Sequence, residues 1–166
     1  MYKVIRRLNT FVFTLLSLSK IGSYKSKPKV NKFSSFSKNT HLGNNCHFNG
    51  IRVRGRGRVV IGDNFHSGTN VKIINSFHKY DGGNALPYDT DENIDKDIMI
   101  GDNVWVGDSV LILGGIYIGE GAIIQAGAVV VSDIPNCSIA GGNPARVFKM
   151  RDIDNYNKLK ESKRFC

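Results

Sequence analysis

Residues 100–130 read IGDNVWVGDSVLILGGIYIGEGAIIQAGAVV, and an aliphatic residue recurs at every sixth position of this stretch. The recurring residues are Ile100, Val106, Ile112, Ile118, Ile124 and Val130. A helix repeats its faces every 3.6 residues and a strand every two, so neither alone explains a period of six. Short strands joined by tight corners do explain it, because each strand then turns one aliphatic residue inward. We therefore predict an all-β core in which three six-residue segments form each turn of a parallel β-helix.

The same ladder appears upstream, at Leu42 and Ile61, each of which is followed by glycine. Its phase is lost over the long step from Ile73 to Ile100, which is not a multiple of six. The intervening segment holds six of the fourteen acidic residues and no inward ladder. We predict that residues 78–97 form an excursion loop that leaves the β-helix and returns to it, and long excursions of this kind are often functional.

The ladder divides the chain into three segments. Residues 41–149 are predicted to form the β-helix, and residues 150–166 a short helix that caps its open end. Residues 1–40 are predicted to hold an amphipathic helix followed by a lead-in without a clear period. A glycine or asparagine after each inward aliphatic residue is expected to relieve backbone strain at a corner.

The N-terminal segment is strongly basic. Residues 1–40 contain nine lysines and arginines and no acidic residue, which equals the whole formal net charge of +9. Nucleic acid is not expected as a partner, because neither a helix-turn-helix nor a basic stacking module is apparent. The apolar residues of 4–16 share one helical face, and this helix is too short to span a bilayer, which takes about 20 apolar residues. It either packs on the domain or a neighbouring subunit, or lies on an anionic membrane surface.

The three cysteines, Cys46, Cys137 and Cys166, are odd in number and lack a metal-binding spacing. We expect free thiols in a reducing cytoplasm, with Cys46 and Cys137 in packing or turn positions. The predicted location is therefore the cytoplasm. Membrane contact through residues 1–20 would place the protein at the inner face of the cytoplasmic membrane.

Three motifs follow one another in order: Ile100–Gly107 with its tryptophan, then Asp133-Ile134-Pro135, then GGNPAR at residues 141–146. In this combination, residues 41–149 resemble the hexapeptide-repeat acetyltransferases, in the branch of the maltose, galactoside and polysaccharide O-acetyltransferases. The resemblance implies a left-handed β-helix, a homotrimer with active sites between neighbouring chains, and acetyl-CoA as co-substrate without a metal. It also implies acetyl transfer to a hydroxyl of a sugar, nucleotide-sugar or lipid-linked saccharide in bacterial surface polysaccharide biosynthesis.

His78 ends an eighteen-residue coil that starts at Ile61, where the acidic excursion begins. A histidine, with an ordinary pKa of about 6.5, suits a general base at neutral pH. The resembling family has its catalytic histidine at this point, so we predict that role over that of a surface-loop residue. Asn49 matches a family asparagine that contacts the acceptor sugar, and it lies one coil before His78, so the two are expected to face one pocket. Asparagine at such a corner also has a purely backbone explanation.

The resemblance further implies a coenzyme groove. Its candidate residues are Trp105, Asp108, Ala126, Val131, Ser132, Arg146 and Lys149. Trp105 corresponds to an outward aromatic residue beside the pantetheine arm, and the backbone N–H near Asp108 to an oxyanion contact. Arg146 and Lys149 are expected to pair with the coenzyme phosphates. The family more usually has serine or alanine at Asp108 and Thr-Lys at Val131-Ser132.

Other functions of the fold stay open: an N-acetyltransferase of a nucleotide amino-sugar, a serine or xenobiotic O-acetyltransferase, a γ-carbonic-anhydrase-like zinc hydratase, or a structural trimer. A zinc site needs three ligands in one place. Neither the step from His47 to His66 nor the step from His66 to His78 equals a whole eighteen-residue coil. No metal site is therefore predicted.

Overall fold

The computed structural model describes residues 2–166, which form two helices and eighteen mostly short strands. The elements in chain order are α1 (Tyr2–Leu18), β1 (Ser23–Tyr24), β2 (Lys29–Val30), β3 (Thr40–Leu42), β4 (His47–Phe48), β5 (Ile51–Arg54), β6 (Val59–Ile61), β7 (His66–Ser67), β8 (Val71–Ile74), β9 (Ser76–Lys79), β10 (Asp89–Asp95), β11 (Ile98–Ile100), β12 (Trp105–Val106), β13 (Leu111–Leu113), β14 (Ile116–Ile118), β15 (Ile123–Ile124), β16 (Val129–Val130), β17 (Ser138–Gly141), β18 (Arg146–Met150) and α2 (Ile153–Glu161).

Three parallel sheets form the sides of a prism of about six turns. Sheet A has the order β1-β3-β6-β11-β14, and sheet C has the order β16-β13-β8-β5. Sheet B has the order β18-β17-β15-β12-β7-β4-β2, and its end strand β18 pairs antiparallel with β17. Each coil crosses sheets A, B and C in turn, so the predicted parallel β-helix is confirmed.

The aliphatic ladder fills the centre of the prism. Ile61, Ile100 and Ile118 stack in register on sheet A and are at most 3% exposed. The residues between them alternate outward, as expected for strands of period two. Burial of this continuous apolar column is the main favourable term in forming the fold.

The β-helix begins about one coil earlier than predicted, inside residues 21–40. Strand β1 pairs with β3, and β2 pairs with β4. The buried residues Val30 and Phe36 already stand at six-residue spacing before Leu42. The interpretation of this segment as a lead-in was wrong because its many exposed lysines obscured the inward period.

Asparagine, rather than glycine, takes the strained backbone position at the corner between sheets A and B. Asn45, Asn64 and Asn103 have φ values of 52°, 57° and 58°. Their side chains form a ladder, in which Asn45 donates to Asn64 at 3.0 Å and Asn64 donates to Asn103 at 2.9 Å. Gly62 instead allows close stacking, because an added Cβ would overlap the carboxylate of Asp102 in the next coil.

The excursion is a β-hairpin, in which β9 and β10 pair antiparallel. The chain leaves after the buried Asn75 and returns at Lys96, whose N–H donates to the carbonyl of Asn75 at 2.9 Å. His66 and Trp105 are paired although the whole hairpin lies between them in the sequence. Without residues 76–95, their separation along the chain equals that between His47 and its partner His66. The excursion predicted for residues 78–97 is therefore an ordered hairpin that spans residues 76–95, two residues earlier in the chain.

The C-terminal helix lies along the side of the prism and does not cap its open end as predicted. The hydroxyl of Tyr156 in α2 donates to Glu120 at 2.8 Å and accepts from Asn103 at 3.0 Å. The carbonyl of Cys166 accepts from Asn45 at 2.9 Å, several coils further down. The polar partners of Tyr156 at the corner between sheets A and B explain this position.

Helix α1 contacts β2 at the other end of the prism. Its buried residues are Thr14 and Ser17, whereas the apolar face is exposed. None of the helices within residues 2–166 combines the length and the hydropathy needed to cross a bilayer.

Candidate active site

The candidate residues lie along two different edges of the prism. The B/C edge is the set of corners that lead from sheet B into sheet C, and it contains Asn49, Asp108 and Ala126. The C/A edge is the set of corners that lead from sheet C into sheet A, and it contains Val131, Ser132 and the departure of the hairpin that carries His78. The strands of sheet C separate the two edges, and the longest of them, β5 and β8, have four residues and are about 13 Å long.

His78 lies on β9, close to the C/A edge, and its side chain is exposed. Its ring stacks on that of Tyr88, with centroids 4.3 Å apart and planes inclined by 13°. Tyr88 was not singled out in the sequence, where the only signal was an aromatic residue within the excursion. The stacked ring restricts the orientation of the imidazole and leaves its edge open to solvent.

Asn49 is held within the scaffold. Its side-chain amide donates to the carbonyl of Ser67 at 2.8 Å, and its side-chain oxygen accepts from Asn31 at 2.9 Å. It precedes β5, whereas His78 follows β8, so the two lie at opposite ends of sheet C. Within one chain a whole strand therefore separates Asn49 from His78.

A backbone donor is exposed at the B/C edge. One coil below, a carboxylate accepts the corner N–H of the coil before it, because Asp108 accepts from Thr69 at 2.6 Å. The same arrangement occurs at the corner between sheets A and B, where Asp63 accepts from Asn44 at 2.9 Å. The residue above Asp108 is Ala126, which has no side-chain acceptor, and within residues 2–166 the N–H of Asp108 makes no hydrogen bond. The N–H of Asp108 is therefore available to donate a hydrogen bond to a carbonyl oxygen bound at this edge.

The carboxylate of Asp108 has a structural role. The N–H group of Thr69 that donates to it lowers the pKa of the carboxyl group, so Asp108 is ionised at neutral pH. The departure from the family's usual serine or alanine thus strengthens the corner between two coils. It leaves the backbone donor of Asp108 unobstructed.

Trp105 lies outward on sheet B, where it pairs with His66 below and Ile123 above. Its side chain is 55% exposed. It borders a cavity of about 340 Å³ between sheet B and the C-terminal helix, also lined by Tyr156. Exposure of the only tryptophan agrees with a surface that another molecule covers.

Arg146 and Lys149 lie on β18 at the top of sheet B, and both are exposed. Neither forms an ion pair with any residue in the described part of the chain. Val131 and Ser132 follow β16 on the C/A edge and are also exposed. One chain therefore brings Trp105, Asp108 and Ala126 close together, and it keeps them apart from His78.

His47 and His66 are direct neighbours on sheet B, with ring centroids 4.3 Å apart. The sequence argument that the step between them misses a whole coil was wrong, because the coil here is one residue longer than assumed. Burial, and then the charges of His66 and Lys29, lower the pKa of His47 to about 4. No third ligand joins the pair, since the described residues contain no cluster of three His, Cys, Asp or Glu arranged for a metal.

The cysteines have no catalytic geometry. Cys46 is buried, and burial raises the pKa of its thiol to about 11. Cys137 occupies a turn with φ of 54°. Both therefore have the packing and turn positions that were predicted.

Comparison with known proteins agrees with this architecture. Residues 97–132 match the model of the bacterial transferase hexapeptide, six repeats. A maltose O-acetyltransferase from Clostridium difficile 630 is 31% identical, with a TM-score of 0.63, over 78% of this chain and 66% of that one. A galactoside acetyltransferase in complex with coenzyme A is 26% identical, with a TM-score of 0.60, over 82% and 63%. No curated protein sequence matches the chain significantly.

A hexapeptide-repeat acetyltransferase from Vibrio cholerae O1 biovar eltor, complexed with acetyl coenzyme A, shares the fold at 23% identity and a TM-score of 0.67. The alignment covers 89% of this chain and 87% of that one. Residues 97–132 thus carry the hexapeptide repeats of the bacterial transferases, and the chain shares the fold of these acetyltransferases. It spans just under two thirds of the length of the maltose and galactoside enzymes.

The His47–His66 pair predicts a pH dependence of stability. Because the folded protein lowers the pKa of His47 from 6.5 to about 4, the unfolded chain binds the proton first as the pH falls. The free energy of unfolding should therefore decrease between about pH 6.5 and pH 4. His47→Gln should flatten this decrease, as measured by urea unfolding at a series of pH values. His41→Gln, which leaves the pair intact, should retain the decrease, and an equal slope in His47→Gln and the unmodified protein would contradict the assignment.

Proposed function

We propose that the protein is an acetyl-CoA-dependent O-acetyltransferase that acts on a sugar hydroxyl. The exposed imidazole of His78, which stacks on Tyr88 at the edge of the solenoid, is the observation that carries the proposal. The likeness to a maltose O-acetyltransferase and to a galactoside acetyltransferase crystallised with coenzyme A supports it. Both acceptors named there are sugars.

His78 acts as the general base in direct transfer. Its neutral imidazole accepts the proton of the acceptor hydroxyl as that oxygen attacks the thioester carbonyl carbon. The tetrahedral intermediate collapses when its carbon–sulfur bond breaks, and the leaving thiolate takes the proton back from the imidazolium. The products are the acetyl ester and the free thiol of coenzyme A, and no residue of the chain is acylated.

The backbone N–H of Asp108 stabilises the oxyanion. It needs an acceptor, and the alanine above it provides none. A donor that is already fixed in the scaffold needs no reorganisation when negative charge develops, and one such donor contributes a factor of about 10²–10³ in rate. Trp105 covers the pantetheine arm, and Ala126 leaves room for it. Arg146 and Lys149 pair with the phosphates, and Val131 and Ser132 approach the coenzyme from the neighbouring chain.

The active site requires two chains of a homotrimer. His78 lies on the C/A edge, and the coenzyme candidates lie mostly on sheet B and the B/C edge. Three-fold symmetry that turns sheet C toward the axis brings the C/A edge of one chain beside the B/C edge of the next. The same juxtaposition places Asn49 of one chain near His78 of its neighbour, so that Asn49 contacts the acceptor sugar across the interface.

The acceptor is a saccharide of bacterial surface polysaccharide biosynthesis, in the form of a sugar, a nucleotide-sugar or a lipid-linked precursor. The reaction takes place in the cytoplasm, where acetyl-CoA is available. A screen that follows release of coenzyme A with sugar and amino-sugar acceptors separates this proposal from N-acetylation. Turnover with amino-sugars alone would establish an N-acetyltransferase, and no turnover or binding of coenzyme A with any acceptor would refute the proposed function.

Removal of the base should abolish turnover and leave the structure intact. His78→Ala is expected to lower kcat by about 100-fold or more, because general base catalysis contributes factors of this size. Coenzyme A binding, measured by calorimetry, and trimer mass, measured by light scattering, should be unchanged. His41→Ala is the matched control, since His41 lies on sheet A and its side chain bonds to Ser23 at 2.8 Å. A normal rate in His78→Ala would mean that another group is the base.

An acceptor placed above Asp108 should compete with the coenzyme. Ala126→Asn is expected to accept the Asp108 N–H, as Asn136 accepts that of Glu120 at 2.9 Å at another corner. Loss of the oxyanion donor should lower kcat by about 10²–10³-fold. Ala126→Val adds similar bulk without an acceptor and should lower kcat less. Equal decreases in the two variants would show that bulk, and not the donor, is responsible.

A further inference from the structure

Helix α1 covers the open N-terminal end of the prism with a face that contains the buried Thr14 and Ser17 and the partly buried Phe13, which packs against the core. Strand β2 is the last strand of sheet B. On either side of Val30, the N–H groups of Lys29 and Asn31 donate to carbonyls of the next coil. The N–H of Val30 points the other way and donates to the hydroxyl of Thr14 at 3.0 Å. The hydroxyl of Thr10 bonds to Asn31 at 2.8 Å. The helix thus satisfies a sheet edge that would otherwise be unpaired.

The opposite face of α1 is apolar and exposed. Its residues are between 42% and 69% exposed. They are Val4, Ile5, Leu8, Phe11, Val12, Leu15 and Leu16. An amphipathic helix of a soluble domain normally turns this face to the core. Here nothing in residues 2–166 covers it, and the contacts of Thr10 and Thr14 hold it in this orientation.

The surroundings of this face are basic. Exposed cations stand on α1 itself, as Arg6 and Arg7, and continue into the first coil. The further exposed cations are Lys20, Lys25, Lys27, Lys29 and Lys32. The only ion pair among all of these cations in the described chain is Lys25 with Asp63 at 3.3 Å. Because residues 1–40 contain no acidic residue, the end of the prism carries an uncompensated positive field.

This combination of charge and apolar surface selects the partner. A second copy of the chain would bring the same basic surface against itself, which like-charge repulsion disfavours. An anionic lipid surface accepts the apolar side chains among its acyl chains and the lysines and arginines among its phosphates.

We propose that α1 docks the protein on an anionic phospholipid surface, with the axis of the prism pointing away from the bilayer. The proposal does not depend on the reaction catalysed. In a three-fold assembly all three α1 helices face the same side, so the docking surface would be trivalent and the binding strengthened by avidity. The site would then be held close to acceptors embedded in the same membrane.

Vesicle co-sedimentation of the full chain tests the proposal. Vesicles of phosphatidylglycerol and phosphatidylcholine should bind the protein, binding should weaken at high salt, and vesicles of phosphatidylcholine alone should bind it less. The double variant Leu8→Gln/Phe11→Gln should bind at least about tenfold more weakly, because both side chains leave the acyl region. Phe148→Gln is the matched control, since Phe148 and Phe11 are both 60% exposed and Phe148 lies on β18 at the other end of the prism.

Three results would overturn the proposal: no binding to the anionic vesicles, equal binding by the double variant and the unmodified protein, or a smaller particle mass in the double variant by light scattering. The last would show that the apolar face contacts another copy of the chain. Circular dichroism checks that the double variant is folded. If it is not, Arg6→Gln/Arg7→Gln preserves the apolar face and must still weaken binding to the anionic vesicles, and unchanged binding would equally reject the proposal.

Discussion

The backbone N–H of Gly62 donates to the carbonyl of Ile100, and that of Gly101 donates to the carbonyl of Ile118, both at 2.8 Å. Bonds of this kind join each coil to the next along all three sheets, and the inward aliphatic ladder fills the space they enclose. The position of every outward side chain follows from this stacking. Residues at equivalent corners of successive coils lie above one another in columns. Where one residue of a column has no side-chain acceptor, as at Ala126, the backbone N–H of the residue below, here Asp108, makes no hydrogen bond within the described chain. The site is thus a local exception in a regular scaffold.

The same regularity explains why one chain does not complete the site. A flat sheet C keeps the C/A and B/C edges apart, and no loop of the described chain crosses it to join His78 with Asp108. The hairpin of residues 76–95 extends outward instead, with Tyr88 stacked on His78. In the proposed homotrimer, the three-fold axis brings unlike edges of neighbouring chains together without any change of conformation. Oligomerisation and catalysis would then both follow from the geometry of the prism.

The sequence predicted the coil architecture and the approximate location of the excursion, because an inward aliphatic ladder has a period that can be counted. The sequence did not predict which residues distant along the chain are in contact. The count assumed eighteen residues per coil, whereas the corner between β5 and β6 is longer than its counterpart between β13 and β14, so the pairing of His47 with His66 was missed. The helical period of α1 identified an apolar face but not its direction, since the hydrogen bond from Val30 to Thr14 decides which face packs. The path of the C-terminal helix similarly depends on the partners of Tyr156, which are distant in sequence.

Complementation of two inactive variants tests whether the active site is divided between two chains. His78→Ala removes the base from the C/A edge, and Ala126→Trp blocks the coenzyme position on the B/C edge. When the two chains are co-expressed with different tags and the mixed trimers are purified, each trimer should contain about one intact site in three, because every interface pairs unlike edges. The account predicts that mixed trimers recover about one third of the activity of the unmodified protein. Mixed trimers as inactive as the two parent variants would contradict it, because they would show that each site is built within a single chain.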